Sequence, residues 1–406
     1  MQKDNNKIKE NTCIWNWIEK HSNILFFLII TIIAIIIRIL LIKYPSGDYN
    51  MFLKPWFNEL KQNGGLRGLA KEIGNYTPPY MTLLALLTYL PINSLISIKI
   101  VSIIFDFIGG YAILKIVEEL LSEKKYKKKI GLLFYTIYLF LPTVILNSSY
   151  WGQSDSIYTA FIYLSLLFLI KKNYLKGMIF YSIAFSFKFQ AVLILPLYIL
   201  MYISERKIKL KYFLLIPLTI IILSIPKIIY SHDIFYCFQV YINQSNTYNN
   251  YITLNFPNFY SIFLLGYEQN NPNLIKTPFE ELSMIGILGT LVIFITIAFF
   301  VYYKKIKFDK KAIIEFGLLS VLIAIFFLPQ MHERYLFMGS GLSLLYLLLN
   351  KEKYYIPIGI ELISLNGYMY LLFGGFAVNL SLLSITYLVI LTLYSKDMIK
   401  KYFKLT

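Results

Sequence analysis

Five short polar stretches interrupt an otherwise apolar chain: S-G-D-Y-N at 46–50, N-Y-T-P-P-Y at 75–80, Y-W-G-Q-S-D at 150–155, K-F-Q at 188–190 and M-H-E-R-Y at 331–335. Their residue types could do chemistry. Asp48 follows the first apolar run, and the flanking Pro45 and Gly47 favour a turn that holds its carboxylate at the mouth of that run. A carboxylate so placed could serve as a general base. The plainer reading is an N-cap for an amphipathic helix over Tyr49 to Leu60, with Phe52, Trp56 and Phe57 in the membrane interface. Trp151 and Asp155 suit the start of an interfacial helix, whereas Gln153 between them does not follow from that role. An aromatic ring beside an amide is one way to hold a sugar, the ring against C–H faces and the amide on hydroxyls.

Lys188 stands between two short apolar segments with no loop around it. Its plain reading is snorkelling to headgroups, and its functional reading is a bound anion. At 331–335, His332, Glu333 and Arg334 lie side by side between greasy flanks. The zinc-protease pattern needs a second His four residues after the first, and Leu336 occupies that position. With three histidines in the chain, a protein-only zinc site is not expected. Arg334 suits a phosphate, because its fork binds two oxygens at once. Its plain reading is a surface pair with Glu333, worth little. No D-x-D occurs, so neither a metal nor another cofactor is indicated.

These residues must be positioned by membrane helices. The chain has 406 residues, 57% hydrophobic and 15% charged, too few charges for a soluble domain of this length. Apolar segments fall at roughly 23–43, 97–121, 130–147, 155–170, 177–188, 190–203, 213–230, 281–303, 312–329, 335–350, 354–373 and 376–395. The fold expected is all-α: a polytopic transmembrane bundle of about twelve spans, with eleven to thirteen allowed. The segment 79–92 is bounded by prolines and short for a span. Laid flat in the outer interface, it lets every Lys/Arg-rich loop fall inside, which accounts for the net charge of +17 without nucleic acid. Both termini are then cytoplasmic, all five polar stretches face outward, and Cys13 and Cys237 lie on opposite sides. The first apolar run reads as an uncleaved helix after a polar N-terminus. Asp106, inside the second span, is costly there and reads as a paired structural residue, with Lys99 or Arg38 as its partner.

At these residues the chain resembles integral-membrane glycosyltransferases of the GT-C superfamily. The likeness is to the bacterial and archaeal relatives of the second mannosyltransferase of GPI-anchor synthesis. It is carried by the early outer-loop Asp48, the Y-x-P-P of Tyr76 to Pro79, Asp106, W-G-Q-S-D, K-F-Q and M-H-E-R-Y, over about residues 30 to 345. The resemblance implies a GT-C-type bundle with juxtamembrane helices in the first outer loop. It implies transfer of a hexose, mannose as the first choice, from a polyprenyl-phosphate sugar to an envelope glycan or glycolipid. The transfer would proceed by inversion at the outer face of the plasma membrane. Asp48 aligns with the family's acceptor-deprotonating acid. Tyr49 follows it where related enzymes often carry a second acid, so Asp155 is the rival base. Lys188, His332 and Arg334 would take the donor phosphate. Tyr49, Trp56, Tyr76, Trp151, Gln153, Gln190, Glu333 and Tyr335 would line the sugar and acceptor sites. The helix at 79–92 would wall a lateral entrance for the lipid tail.

The domain reading is a cytoplasmic N-terminus at 1–22, a catalytic module at 23–350 including the outer loop 44–96, and a C-terminal hairpin with a basic tail at 351–406. Two other readings stay open. One is a flippase or transporter of a polyprenyl-linked sugar, which would release no polyprenyl phosphate. The other is an inactive outer-face lipid-binding component.

Overall fold

The computed structural model describes residues 2–246, 252–264, 279–375 and 377–404. It is helical almost throughout, as an apolar chain without water to satisfy its backbone must be. In chain order the helices are α1 (Gln2–Leu41), α2 (Lys54–Gln62), α3 (Pro78–Leu87), α4 (Ser94–Leu120), α5 (Lys127–Leu139), α6 (Pro142–Ile145), α7 (Asp155–Ile170), α8 (Tyr174–Phe187) and α9 (Leu195–Glu205). They continue with α10 (Leu215–Leu223), α11 (Ile225–Ser231), α12 (Tyr236–Asn246), α13 (Phe279–Tyr303), α14 (Lys310–Phe327), α15 (Phe337–Leu349), α16 (Tyr355–Phe373) and α17 (Leu380–Met398). Among the described residues the strands are β1 (Thr253–Leu254) and β2 (Met331–His332), paired in parallel.

Each of the twelve expected segments is helical. By length and composition, five of the helices described can cross a membrane alone, or seven if each of two bent pairs forms one span. Twelve crossings would require shorter helices to span as well, such as the 16-residue α7. Such a helix reaches only about 24 Å of a ~30 Å hydrocarbon core. The bends have visible causes. Lys127–Leu139 meets Pro142–Trp151 at 56°, and Leu210–Leu223 meets Ile225–Ser231 at 52°. Pro142 and Pro226 stand at the breaks, where a missing N–H cannot continue the ladder.

The core is built by α4, α5, α7 and α8, with α14 and α15 closing it through Phe316, Val321, Leu342 and Leu345. A smaller cluster seats the segment 49–85 on this bundle. Tyr49, Leu53, Phe57 and Leu60 are buried at helical spacing against Leu69, Tyr80, Leu84, Ile98 and Ile157. Phe57, expected in the membrane interface, is packed inside the protein, while Phe52 is exposed. The helix expected at 79–92 ends at Leu87, and the Tyr89 hydroxyl turns back to donate to Gly64 O at 2.9 Å.

Asp106 is fully buried in α4, and Arg38 of α1 donates from Nε to its Oδ2 at 2.9 Å. Ser148 Oγ adds a bond to the same oxygen at 2.5 Å. Of the two partners expected for Asp106, Arg38 is therefore the one used. Lys99 goes elsewhere, donating to Tyr44 O at 2.5 Å and Tyr150 O at 2.7 Å.

Candidate active site at the convergent helix ends

The five polar stretches meet at one end of the bundle. Each sits where a helix starts, stops or breaks, and there backbone leaves the helical ladder and side chains can point inward together. Asp48 lies just after α1. Its side chain makes no capping bond; Ser46 Oγ instead accepts from Tyr49 N at 3.2 Å. The Asp48 carboxylate is thereby available to α7's approach segment. Oδ2 accepts from the Trp151 indole Nε1 at 2.9 Å and from Gln153 Nε2. Ser46 Oγ also donates to Trp151 O at 2.6 Å, tying the two loops by backbone as well. The chain passes from Trp151 into α7 through Gly152, whose φ of +82° suits a residue without a Cβ.

Asp155, first residue of α7, is fully buried. Lys188 Nζ approaches its Oδ1 at 2.5 Å, and Asn147 Nδ2 donates to its Oδ2 at 2.9 Å. Lys188 is buried too, so it does not snorkel, and the anion beside it is the protein's own carboxylate. Arg334 Nη1 donates to Glu333 Oε1 at 2.7 Å, and its Nε lies 3.7 Å from Asp155 Oδ2. Glu333 is only 1% exposed, so the pair is not the surface pair of the plain reading. Burial raises the Glu333 carboxyl most strongly, but Arg334, the His332 ring and its own backbone N–H together outweigh it and hold the group below the usual range. His332 is pushed down by burial against the opposing pull of Glu333, so it is neutral near pH 7.

Two contacts bind these groups into one network. The Arg334 guanidinium sits 5.7 Å from the centroid of the Trp151 ring whose N–H holds Asp48, and the Asp48 charge acts on it. Tyr76 OH donates to Gln153 Oε1 at 3.3 Å, while Lys188 Nζ stands 5.9 Å from the Tyr76 ring. Tyr76 is set there by its neighbour, since Thr77 Oγ1 donates to Phe187 O at 2.8 Å, at the break after α8.

Beside the network lies a cavity of about 290 Å3, whose lining includes Tyr76, Lys188, Gln190, His332, Arg334 and Tyr335. Phe187, Phe189, Val192, Leu193, Leu328 and Ile287 of α13 add apolar surface to it. Its volume is near the low end of the ~300–1,000 Å3 usual for ligand pockets. Two buried polar atoms on its lining residues, Gln190 Oε1 and Arg334 Nε, lack a hydrogen-bond partner among the described residues. An ammonium carries three N–H groups and a guanidinium five, so both cations retain donors beyond their carboxylates.

The remaining expected residues are placed differently. Trp151 is 1% exposed and Gln153 2%, so neither presents a surface on which a sugar could lie; both hold Asp48. Tyr49 is buried, its hydroxyl 2.8 Å from Ser94 Oγ. Trp56 packs on Tyr76 at 5.3 Å between ring centroids and against Gly74, where a Cβ would stand 2.8 Å from the indole. Glu333 orients Arg334 rather than lining the cavity. No residue of α3 lines the cavity either, so the wall expected from 79–92 is supplied by the 189–193 segment and α13. Among the described residues, no three His, Cys, Asp or Glu gather as a metal-binding group.

Sequence reasoning missed several contributors. Asn147 bridges Asp155 and the Tyr368 hydroxyl, at 2.9 and 3.0 Å. Tyr368 packs edge-on against Trp151 with centroids 5.0 Å apart. Both Tyr368 and Gly367, which packs under Glu333, come from α16, which carries no motif. β1 fixes the register of Met331–His332, and Gln330 N donates to Ile252 O at 2.9 Å beside it. The lone Asn ending an apolar span and the N-F-P-N at 255–258 were the available signals.

No family model matches the chain. Over 109 residues it is 29% identical to GPI mannosyltransferase 1 of Saccharomyces cerevisiae. That stretch is 27% of this chain and 26% of the yeast protein, so the match spans about a quarter of each. The resemblance described above is to relatives of the second mannosyltransferase of GPI-anchor synthesis; the yeast protein bears the number one. The likeness supports a glycosyltransferase relationship at a coarse level and reaches neither donor nor acceptor.

Proposed function

We propose that this protein is a membrane glycosyltransferase that moves a mannosyl group from a polyprenyl-phosphate sugar to a glycan or glycolipid acceptor at the outer face of the plasma membrane, with a GT-C-type bundle as its scaffold. The observation that carries the reading is the Asp48 carboxylate: half-buried, held on one oxygen by two neutral donors, and in one network with the cationic cavity. Asp48 Oδ1 takes the acceptor proton, the acceptor oxygen attacks the anomeric carbon, and the bond to the phosphate oxygen breaks with inversion. Lys188, His332 and Arg334 face the phosphate as charge gathers on it, the point where fixed donors act most. Gln190 and Tyr335 take sugar hydroxyls. The tail runs along Phe189, Leu193 and Ile287 toward lipid. Asp155 is the weaker base, because Lys188 and Asn147 already engage both its oxygens. The name of the yeast relative supports mannose as the sugar.

The test is Asp48→Asn in membranes supplied with polyprenyl-phosphate mannose. The expected result is folded protein, retained donor binding and transfer reduced more than a hundredfold, within the ~10²–10⁴-fold that acid–base catalysis contributes. Transfer at the wild-type rate would remove Asp48 from the reaction. Wild-type protein that moves the donor across the bilayer and frees no polyprenyl phosphate would make it a flippase.

A further inference from the structure

Asp48 meets Trp151 and Gln153 across two separate loops, which the Ser46–Trp151 bond ties at one point and Lys99 at another. Lys99 is buried in the second turn of α4, 1% exposed. Among the described residues its ammonium bonds no carboxylate; it donates to Tyr44 O at 2.5 Å and Tyr150 O at 2.7 Å. Tyr44 lies just past the C-terminus of α1, four residues before Asp48. Tyr150 is the penultimate residue of the π-helical turn Leu146–Trp151, one residue before Trp151. Carbonyls in the last turn of a helix lack intrahelical partners and carry its partial negative charge, as Tyr150 O does, while Tyr44 O lies in the loop after α1; one cation between them serves both. Gly152 presses on the same side chain, with a Cβ there placed 3.3 Å from Lys99 Cγ and Cε.

We infer that Lys99 is a positioning residue: a single ammonium that clamps the α1 exit to the Leu146–Trp151 turn and so sets the Asp48 carboxylate on the Trp151 and Gln153 donors. This rests on the transferase reading for its effect on turnover, but the clamp itself is independent of any activity. An uncharged side chain of similar length leaves both carbonyls without this donor and loosens the join between the loops.

The experiment pairs Lys99→Met with Lys99→Arg in the full-length protein in lipid nanodiscs. Hydrogen–deuterium exchange, which needs no substrate, should speed about tenfold in Lys99→Met over residues 44–53 and 146–153, and stay unchanged in α14. Transfer from polyprenyl-phosphate mannose should lose about tenfold in kcat with donor KM unchanged. Lys99→Arg, which can still reach two carbonyls, should restore most of both. Unchanged exchange in the two loops would overturn the clamp. Raised exchange with unaltered kcat, or a loss wholly in KM, would overturn the positioning role. Should Lys99→Met fail to accumulate, Lys99→Gln takes its place; failure of both would make the lysine a folding determinant and overturn the inference. A wild-type protein silent in transfer would count against the transferase alone, since exchange still decides the clamp.

Discussion

The indole Nε1 of Trp151 lies 2.9 Å from Oδ2 of Asp48, joining residues 103 positions apart in the chain. The carboxylate is thus aimed by a neutral donor, and among the described residues no cation forms an ion pair with it. Trp151→Phe keeps an aromatic ring against Tyr368 while removing this bond and part of the buried ring volume. Turnover should fall about tenfold, as for loss of one positioning interaction of ~1.4 kcal/mol, with donor KM little changed and the thermal midpoint lowered by the lost ring volume. A matched rise in KM would mean that the indole contacts the donor.

Asp155 and Lys188 form a buried pair, 0% and 10% exposed, and removing one member strands the other. Asp155→Asn and Lys188→Met should each cost about 3–5 kcal/mol, and the double substitution less than their sum. Thermal unfolding of the detergent-purified protein measures this. Per folded molecule, Asp155→Asn should keep turnover within tenfold of wild type. A hundredfold loss would make Asp155 the base in place of Asp48.

The Arg38–Asp106 pair should behave as structure alone. Both side chains are at most 1% exposed, so Asp106→Ala leaves Arg38 charged in the bundle at a cost of about 3–5 kcal/mol. Replacing both, as Arg38→Met with Asp106→Leu, should recover much of that stability. Melting curves of the three variants decide it, and equal destabilisation by the double change would show that the pair is worth more than its absence.

Gly367 allows α16 to touch the backbone of Glu333. A Cβ there would stand 2.7 Å from Glu333 Cβ and 3.2 Å from its Cα and O. Gly367→Ala should displace Glu333 and, through it, Arg334. Donor KM should rise several-fold with a smaller change in kcat, read from initial rates against donor concentration.

His332 sets a pH dependence. Burial lowers its folded-state pKa below the ordinary 6.5, so between those two values the unfolded chain binds more protons than the folded one. Stability should therefore fall as pH drops below 6.5, and the fall should be shallower in His332→Asn. Midpoints measured from pH 5 to 8 in both proteins test the sign; a stability that rises on acidification through that window contradicts it.

The convergence of the five polar stretches was legible because ionisable groups are expensive beside lipid and stand out against apolar sequence. Helicity of each apolar segment was legible for the same reason. What could not be read was partnership. Nothing in K-F-Q says that the anion beside Lys188 is Asp155, and nothing in W-G-Q says that Trp151 and Gln153 face inward to a carboxylate. Tyr368 and Gly367 were invisible because small and aromatic residues in an apolar helix look like ordinary packing. The number of crossings stayed open because an apolar segment of fourteen to eighteen residues satisfies composition without fixing its tilt or depth.

The Asn147–Tyr368 hydrogen bond joins residues 221 apart, whereas the Lys188–Asp155 pair closes over 33. A ribosome feeding this chain into a bilayer therefore delivers the lysine and its aspartate first, and the arginine, its glutamate and the α16 brace well after them. Until α16 arrives, the nascent protein holds half a site with no roof.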